Sequence, residues 1–316
     1  MLTLPTDFTR RITGAFGDDG AEWLRHFPAT LEKYSQRWSL TLLPHFEPLS
    51  YNFVAPAVRQ DGGEVVLKLG VPNPELTSEI EALDIYSGRA AARLIEADAV
   101  GGALLIEHLK PGTPLVEFGD DEKATEIAAQ IMQRLWRPVP TEHNLRAVEK
   151  WALGMRRLRE HYNGGTGPFP EKLIQQAEIL FAELIASTNS LVVLHGDLHH
   201  WNILAAQREP WLALDPKGVV GDPAFEVAAW MHNPMPWLLE QPRPERILAR
   251  RLDQFNEILG FDRQRMLDWS VAQAVLSAWW CVEDSAGCFN STIAIAEVLS
   301  DLYDNNTTWI QYCSSV

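Results

Sequence analysis

The sequence lacks the marks of several protein classes. No run of apolar residues reaches the length of a membrane span, about 18 residues. Its opening, MLTLPTDFTRRITGAF, carries arginines and an aspartate where a secretory leader needs an apolar segment. Cysteine is scarce, with Cys281, Cys288 and Cys313 alone in 316 residues. Their number is odd and their spacing fits no metal site, so idle thiols in a reducing compartment are expected. These absences predict a cytoplasmic protein. Positive charge is short: 27 lysines and arginines face 42 acidic residues, a net charge of −15. That excludes nucleic acid as a partner, because phosphates need a basic face. It suits a cationic small molecule drawn to an acidic cleft, and it equally suits plain solubility. Repeats and low-complexity tracts are missing too. What remains is a chain long enough for one large core or two lobes, and 46% apolar residues can fill them.

Local patterns divide the chain in two. A helix is predicted over Ala21–Trp38, with Trp23, Leu24, Phe27, Leu31 and Tyr34 at helical spacing. Strands are predicted at Leu40–Pro48, Tyr51–Arg59 and Glu64–Gly70, with Asp61-Gly62-Gly63 as a tight turn. Pro56 argues that the second of these is an edge or a distorted strand. Asn73-Pro74 starts a helix ending near Gly88. A second hairpin follows, Ala91–Glu96 with Ala103–Leu109. Residues 1–109 therefore read as an N-lobe with an N-terminal helix, a five-stranded sheet and one further helix. Residues 110–316 read as a helical C-lobe with helices near 120–136, 145–162, 170–187, 245–259, 263–284 and 291–312.

The densest information lies in LVVLHGDLHHWNILAAQREPWLALDPKGVVGDP, residues 191–223. Apolar runs at Leu191–Leu194 and Trp211–Leu214 read as short buried strands, each delivering an acidic residue to its end. His195-Gly196-Asp197 is followed by Asn202 and then by Asp215. One carboxylate that orients an acceptor hydroxyl, with an amide and a second carboxylate for a magnesium ion, suits phosphoryl transfer from a nucleotide. Asp197 takes the first role, and Asn202 and Asp215 the second. Two other readings compete. His195, His199 and His200 suggest zinc, as in a hydrolase, but no further acidic ligand stands in register. A catalytically silent nucleotide-binding protein is the other.

This segment resembles the protein-kinase-like superfamily in its small-molecule branch. The catalytic loop has HGD in place of HRD, as aminoglycoside phosphotransferases do, and DPK replaces DFG. The run LDPKGVVGDPAFEVAAWMHNP is similar to the aminoglycoside/hydroxyurea antibiotic resistance kinases, a group containing streptomycin 6-phosphotransferases. The resemblance extends over about residues 40–235. It implies an α+β, bilobal protein-kinase-like fold, and an ATP- and Mg²⁺-dependent O-phosphotransferase acting on a small, cationic molecule such as an aminoglycoside, or on a housekeeping metabolite. Lys68, in the strand Val65–Leu69, then reaches the α- and β-phosphates and pairs with Glu79, or with Glu81 on another helix face. Ser50 and Asn52 stand where a glycine-rich loop is absent. By family position alone, the backbone at Glu107-His108-Leu109 meets adenine. Asp222 and Glu226 are either family structural residues or helix-start charges. Glu283 and Asp284, ending a long helix, are candidates for holding a cationic acceptor. Nothing in the sequence reports an oligomeric state.

Overall fold

The computed structural model describes residues 4–284 and 287–313. Helix α1 (Thr6–Arg37) bends at Gly17 and is longer than its periodicity predicts. Five strands follow: β1 (Leu40–Leu42), β2 (Phe53–Arg59), β3 (Glu64–Leu69), β4 (Leu94–Asp98) and β5 (Ala103–Glu107). They form one antiparallel sheet in the order β1-β2-β3-β5-β4. Helix α2 (Pro74–Tyr86) lies between β3 and β4 in the chain. Its first turn is secured by Asn73, whose Oδ1 accepts from the N–H groups of Glu75 and Leu76 at 2.7 and 3.0 Å.

The two faces of this sheet follow from strand parity. Val65, Leu67 and Leu69 pack with Phe8, Trp23, Phe27 and Tyr34 of α1. Val66 packs with Leu76 and Leu83 of α2. Lys68 shares the parity of Val66, so the strand aims it at α2.

Of the two expectations raised by Pro56, an edge or a distorted strand, the edge is corrected, because β2 is second in the sheet. A residue's N–H and C=O point the same way in a strand. The Pro56 carbonyl accepts from Leu43 N–H on the β1 side at 2.9 Å. The missing donor therefore costs one bond to a short edge strand and leaves the β2–β3 ladder intact.

The rest is mainly helical, with an apolar core shared between its helices. In chain order come β6 (Pro111–Pro114), α3 (Asp121–Leu135), β7 (Arg137–Pro138), β8 (Arg146–Ala147), α4 (Val148–His161) and α5 (Glu171–Ala186). The strands β9 (Val192–Leu194), β10 (Ile203–Ala206), β11 (Trp211–Ala213) and β12 (Val219–Gly221) make up the segment 191–223. Helices α6 (Val227–Met231), α7 (Trp237–Glu240), α8 (Pro244–Leu259), α9 (Arg263–Glu283) and α10 (Phe289–Cys313) complete the chain. Two small sheets, β11-β10-β6 and β7-β9-β12-β8, hold the segment in place. Most of these pairs are too short to leave a pattern in the sequence. Among the described residues, no helix is long and apolar enough to cross a membrane.

The thiols are not idle. Cys281 and Cys288 form a disulfide that ties the end of α9 to the start of α10. The side chain of Cys313 lies outside the described residues.

Candidate active site

The strand ends deliver the acidic residues as their spacing requires. Strand β9 leads into His195-Gly196-Asp197, and β11 leads into Asp215. Gly196 is left-handed, with φ +80°, and a Cβ there would stand 2.7 Å from the Val219 side chain. Only glycine fits both demands. The buried carboxylate of Glu226 accepts from the N–H groups of His195 and Gly196 at 2.7 and 2.8 Å. Burial raises Glu226 to about 7, against the pull of those two N–H groups. Its role is to fix the loop, not to start a helix.

His195 is buried and neutral. Its Nδ1 accepts from Asp197 N–H at 3.3 Å, so Nε2 carries the proton donated to the Leu214 carbonyl at 2.9 Å. His200 stacks on Trp230, with ring centroids 3.6 Å apart. Arg251, fully buried, grips Asp121 and the carbonyls of Trp230 and Asn233 beneath it. His195 and His200 are thus engaged separately, and His199 Nε2 lies 3.5 Å from an Asp197 carboxylate oxygen. Among the described residues no cluster of three His, Cys, Asp or Glu side chains can hold a metal, which removes the zinc reading. Asp222 caps the turn at Pro223, bonds Trp269 at 3.0 Å and pairs with Arg265, so it is structural.

Lys68 is almost fully buried and reaches Glu79 at 2.6 Å and Asp215 at 3.1 Å. Glu81, the other candidate on α2, faces away and accepts from Asn144 N–H. Burial alone would discharge Lys68, but Asp215 and Glu79 outweigh it and raise its pKa. Asp215 is pushed up by burial and pulled further down by Lys68, so it stays ionised. It holds a left-handed backbone, φ +57°, uncommon outside glycine. Asp197 stays ionised in the same way, with His199 and Lys217 outweighing burial. Asn202 donates through Nδ2 to the Asp197 carbonyl at 2.9 Å. Its Oδ1 accepts no hydrogen bond among the described residues.

These side chains surround a cleft of about 600 Å³, lined by Ser50, Asn52, Lys68, Glu79, Asp197, Asn202 and Asp215 among others. Glu107 and Leu109 are not in this lining. The Glu107 carboxylate is clamped by Arg208 at 2.8 and 3.0 Å, and its N–H is taken by the Arg93 carbonyl. Leu109 packs with Ala92 and Leu212. A second cavity of about 690 Å³ adjoins the first. Trp151 and Trp280 meet edge to face in its wall, with ring centroids 5.2 Å apart. Asp197 lines both cavities. Glu283 faces the second cavity but is neutralised by Arg157 in a two-bond pair at 2.7 and 3.0 Å. Asp284 lines both cavities.

Sequence reasoning missed Glu75, Arg146 and Lys217, which also line both cavities. Lys217 pairs with Glu75 across 142 residues. Only the lysine of DPK hinted at any of them.

The family model for aminoglycoside/hydroxyurea antibiotic resistance kinases matches residues 48–285. The chain belongs to that family. Like its kin, this kinase phosphorylates a small molecule at the expense of ATP. It is 30% identical to a streptomycin 6-kinase of Streptomyces glaucescens, covering 95% of this chain and 97% of that one. It is 33% identical to a hydroxyurea phosphotransferase of Kitasatospora aureofaciens, covering 95% and 86%. Its fold matches the choline kinase LicA of Streptococcus pneumoniae, with a TM-score of 0.57 at 12% identity over 87% of this kinase and 99% of that chain. An aminoglycoside phosphotransferase bound to ADP and hygromycin B matches with a TM-score of 0.56 at 10% identity, covering 84% and 97%. The architecture is therefore kinase-like, an antiparallel sheet region followed by a helical one.

Proposed function

We propose that the kinase binds Mg²⁺-ATP in the 600 Å³ cleft and an acceptor hydroxyl in the adjoining 690 Å³ cavity. One observation carries this reading: Asp197 lines both spaces. A carboxylate there can accept a hydrogen bond from a hydroxyl on one side and aim it at a phosphorus on the other. Lys68, aligned by Glu79, holds the α- and β-phosphates. Ser50 and Asn52 cover them, and the backbone from Glu107 to Leu109, which lies beyond this lining, would meet the base without the Glu107 N–H. The lobes divide near Leu109; the pairing of β6 with β10 supports that boundary.

Asn202 and Asp215 would hold the magnesium ion, which supplies charge neutralisation for the phosphates when bound. The donor set fits: one ionised carboxylate and one amide oxygen without a hydrogen bond, both hard ligands, leaving positions for phosphate and water. The acceptor is a hydroxyl of a small molecule, with a streptomycin-like aminoglycoside favoured by the relatives and the protein cytoplasmic. A less cationic metabolite is the second reading, favoured by the cavity itself. Arg146, Lys150 and Arg157 face it alongside Glu283 and Asp284.

ADP release, measured with Mg²⁺-ATP over a panel of aminoglycosides and neutral sugar alcohols, tests the proposal. Turnover with streptomycin is expected to exceed that with neutral polyols. Turnover with neutral polyols alone would select the second reading, and no acceptor-dependent ADP release from any hydroxyl compound would remove both.

A further inference from the structure

Helix α2 presents Glu75 and Glu79 four residues apart, neighbours on one helix face. Each holds a lysine from a different part of the chain. Glu79 takes Lys68 from β3, and Glu75 takes Lys217 just beyond Asp215. Gly218 makes the approach possible, because a Cβ there would stand 2.4 Å from the Ser78 carbonyl of α2. The two lysines differ in where they look. Lys68 lines the nucleotide cleft alone, whereas Lys217 lines both cavities. Among the basic residues lining these cavities, only Arg146 shares that position. Strand β8 pairs with β12, with Arg146 opposite Val219, which holds it beside the Lys217 segment. The Arg146 side chain makes no hydrogen bond or close ion pair among the described residues, though, against burial, its charge helps Lys217 lower the pKa of Glu75.

We propose that Lys217 is a catalytic residue that contacts the γ-phosphoryl group as it crosses from one cavity to the other, with Arg146 as a second cation and Glu75 as a positioning residue. The inference rests on the nucleotide reading of the 600 Å³ cleft. In the transfer, a bond forms from the acceptor oxygen to the γ-phosphorus. The bond to the β,γ-bridging oxygen breaks, its electron pair leaves with ADP, and the hydroxyl proton departs by way of Asp197. Negative charge spreads over the equatorial oxygens of the passing group, and catalysis consists almost wholly of positioning and cationic stabilisation there. That charge develops where the two cavities meet, the place Lys217 and Arg146 share. The Lys217–Glu75 pair is partly exposed, with side chains 39% and 49% accessible. Such pairs are weak, so a phosphate oxygen can replace Glu75 at little cost.

Calorimetric titration of ADP and of β,γ-imido-ATP, each with Mg²⁺, reads the contact without turnover. Lys217→Met should bind ADP within about twofold of wild type and lose about tenfold in affinity for the imido analogue, the worth of one charged hydrogen bond. Its kcat should fall about 10²-fold, as when one transition-state donor is removed. Arg146→Gln should move the affinity ratio in the same direction by less. Glu75→Gln should lower it in part, and Glu75→Asp should restore some of that loss. An unchanged ratio in both Lys217→Met and Arg146→Gln would overturn the proposal. So would an equal loss of both affinities in Lys217→Met, which makes the lysine a strut. If the wild-type protein binds neither nucleotide, the cleft assignment itself has failed.

Discussion

The two cavities are built differently. Around the nucleotide cleft the decisive pair is interior: Lys68 and Glu79 have side chains 5% and 8% accessible. In the wall of the second cavity the comparable pair, Arg157 with Glu283, is 43% and 26% accessible. Removing one partner of a buried pair strands a charge and costs about 3–5 kcal/mol, whereas exposed pairs contribute about 0–1 kcal/mol. The half proposed to handle phosphate is thus tied to the stability of the fold. The half proposed for the acceptor can be re-lined with little risk of unfolding. A family whose kinases act on different small molecules needs that asymmetry.

The sharpest break between the halves is at Asp197, which belongs to both. Asp197→Ala should lower kcat by about 10²–10⁴ while nucleotide affinity stays nearly unchanged. A variant retaining more than about a tenth of the wild-type kcat would end its assignment. Lys68→Met tests the interior half. Denaturant unfolding should show a loss of about 3–5 kcal/mol, against less than about 1 kcal/mol for Arg157→Gln. Equal losses would erase the contrast drawn above.

Asn202→Ala and Asp215→Ala should each raise the magnesium concentration needed for half-maximal ATP binding, by about tenfold or more for the carboxylate. Overlapping magnesium titrations for wild type and both variants would remove them from the metal site.

Acidity separates the regions next. Burial lowers His195 to about 4, His200 to about 3 and His232 to about 4. Unfolded histidines take up protons near 6.5 and these do not, so the folded state loses stability as pH falls from 6.5 towards 4. Glu226 and Asp268, raised by burial to about 7 and about 6, act in the opposite sense and partly offset that loss. His232→Phe should flatten the fall by up to about one proton, about 1.4 kcal/mol per pH unit. An unaltered slope of Tm against pH would mean that His232 titrates normally in the folded protein.

The smallest effects belong to the acceptor wall. Asp284→Asn should raise the KM of a cationic acceptor a few-fold, about 1 kcal/mol, and more at low ionic strength than at high. Glu283→Gln should do less, because Arg157 already neutralises that carboxylate. A larger effect at Glu283 would reverse the assignment of the two walls.

Much of this was legible in the residues. His195-Gly196-Asp197, Asn202 and Asp215 lie within one stretch, where local spacing carries the chemistry. Lys68 stood out because a lysine within an apolar strand needs a partner. The partner itself was ambiguous between Glu79 and Glu81, and only the helix orientation decides which of them faces Lys68. Glu75 and Lys217 were illegible, since their pairing spans 142 residues and neither is unusual where it stands. Arg146 depends on β8, a strand of two residues with no pattern to read. The cysteine count misled because it weighs number and spacing, while the fold brings Cys281 and Cys288 together.

The loop bearing Asp197 is fixed by residues that follow it: Glu226 holds its backbone, and Arg251 supports the His200 side. During synthesis the signature HGDLHHWN emerges from the ribosome after β6 and β7, which pair with β10 and β9, but before Glu226 and Arg251. A nascent or truncated chain ending before Arg251 would carry every residue of the motif and still lack a settled loop. For this kinase, activity should arrive late and all at once, when α8 closes beneath the motif, instead of growing with the length of chain made.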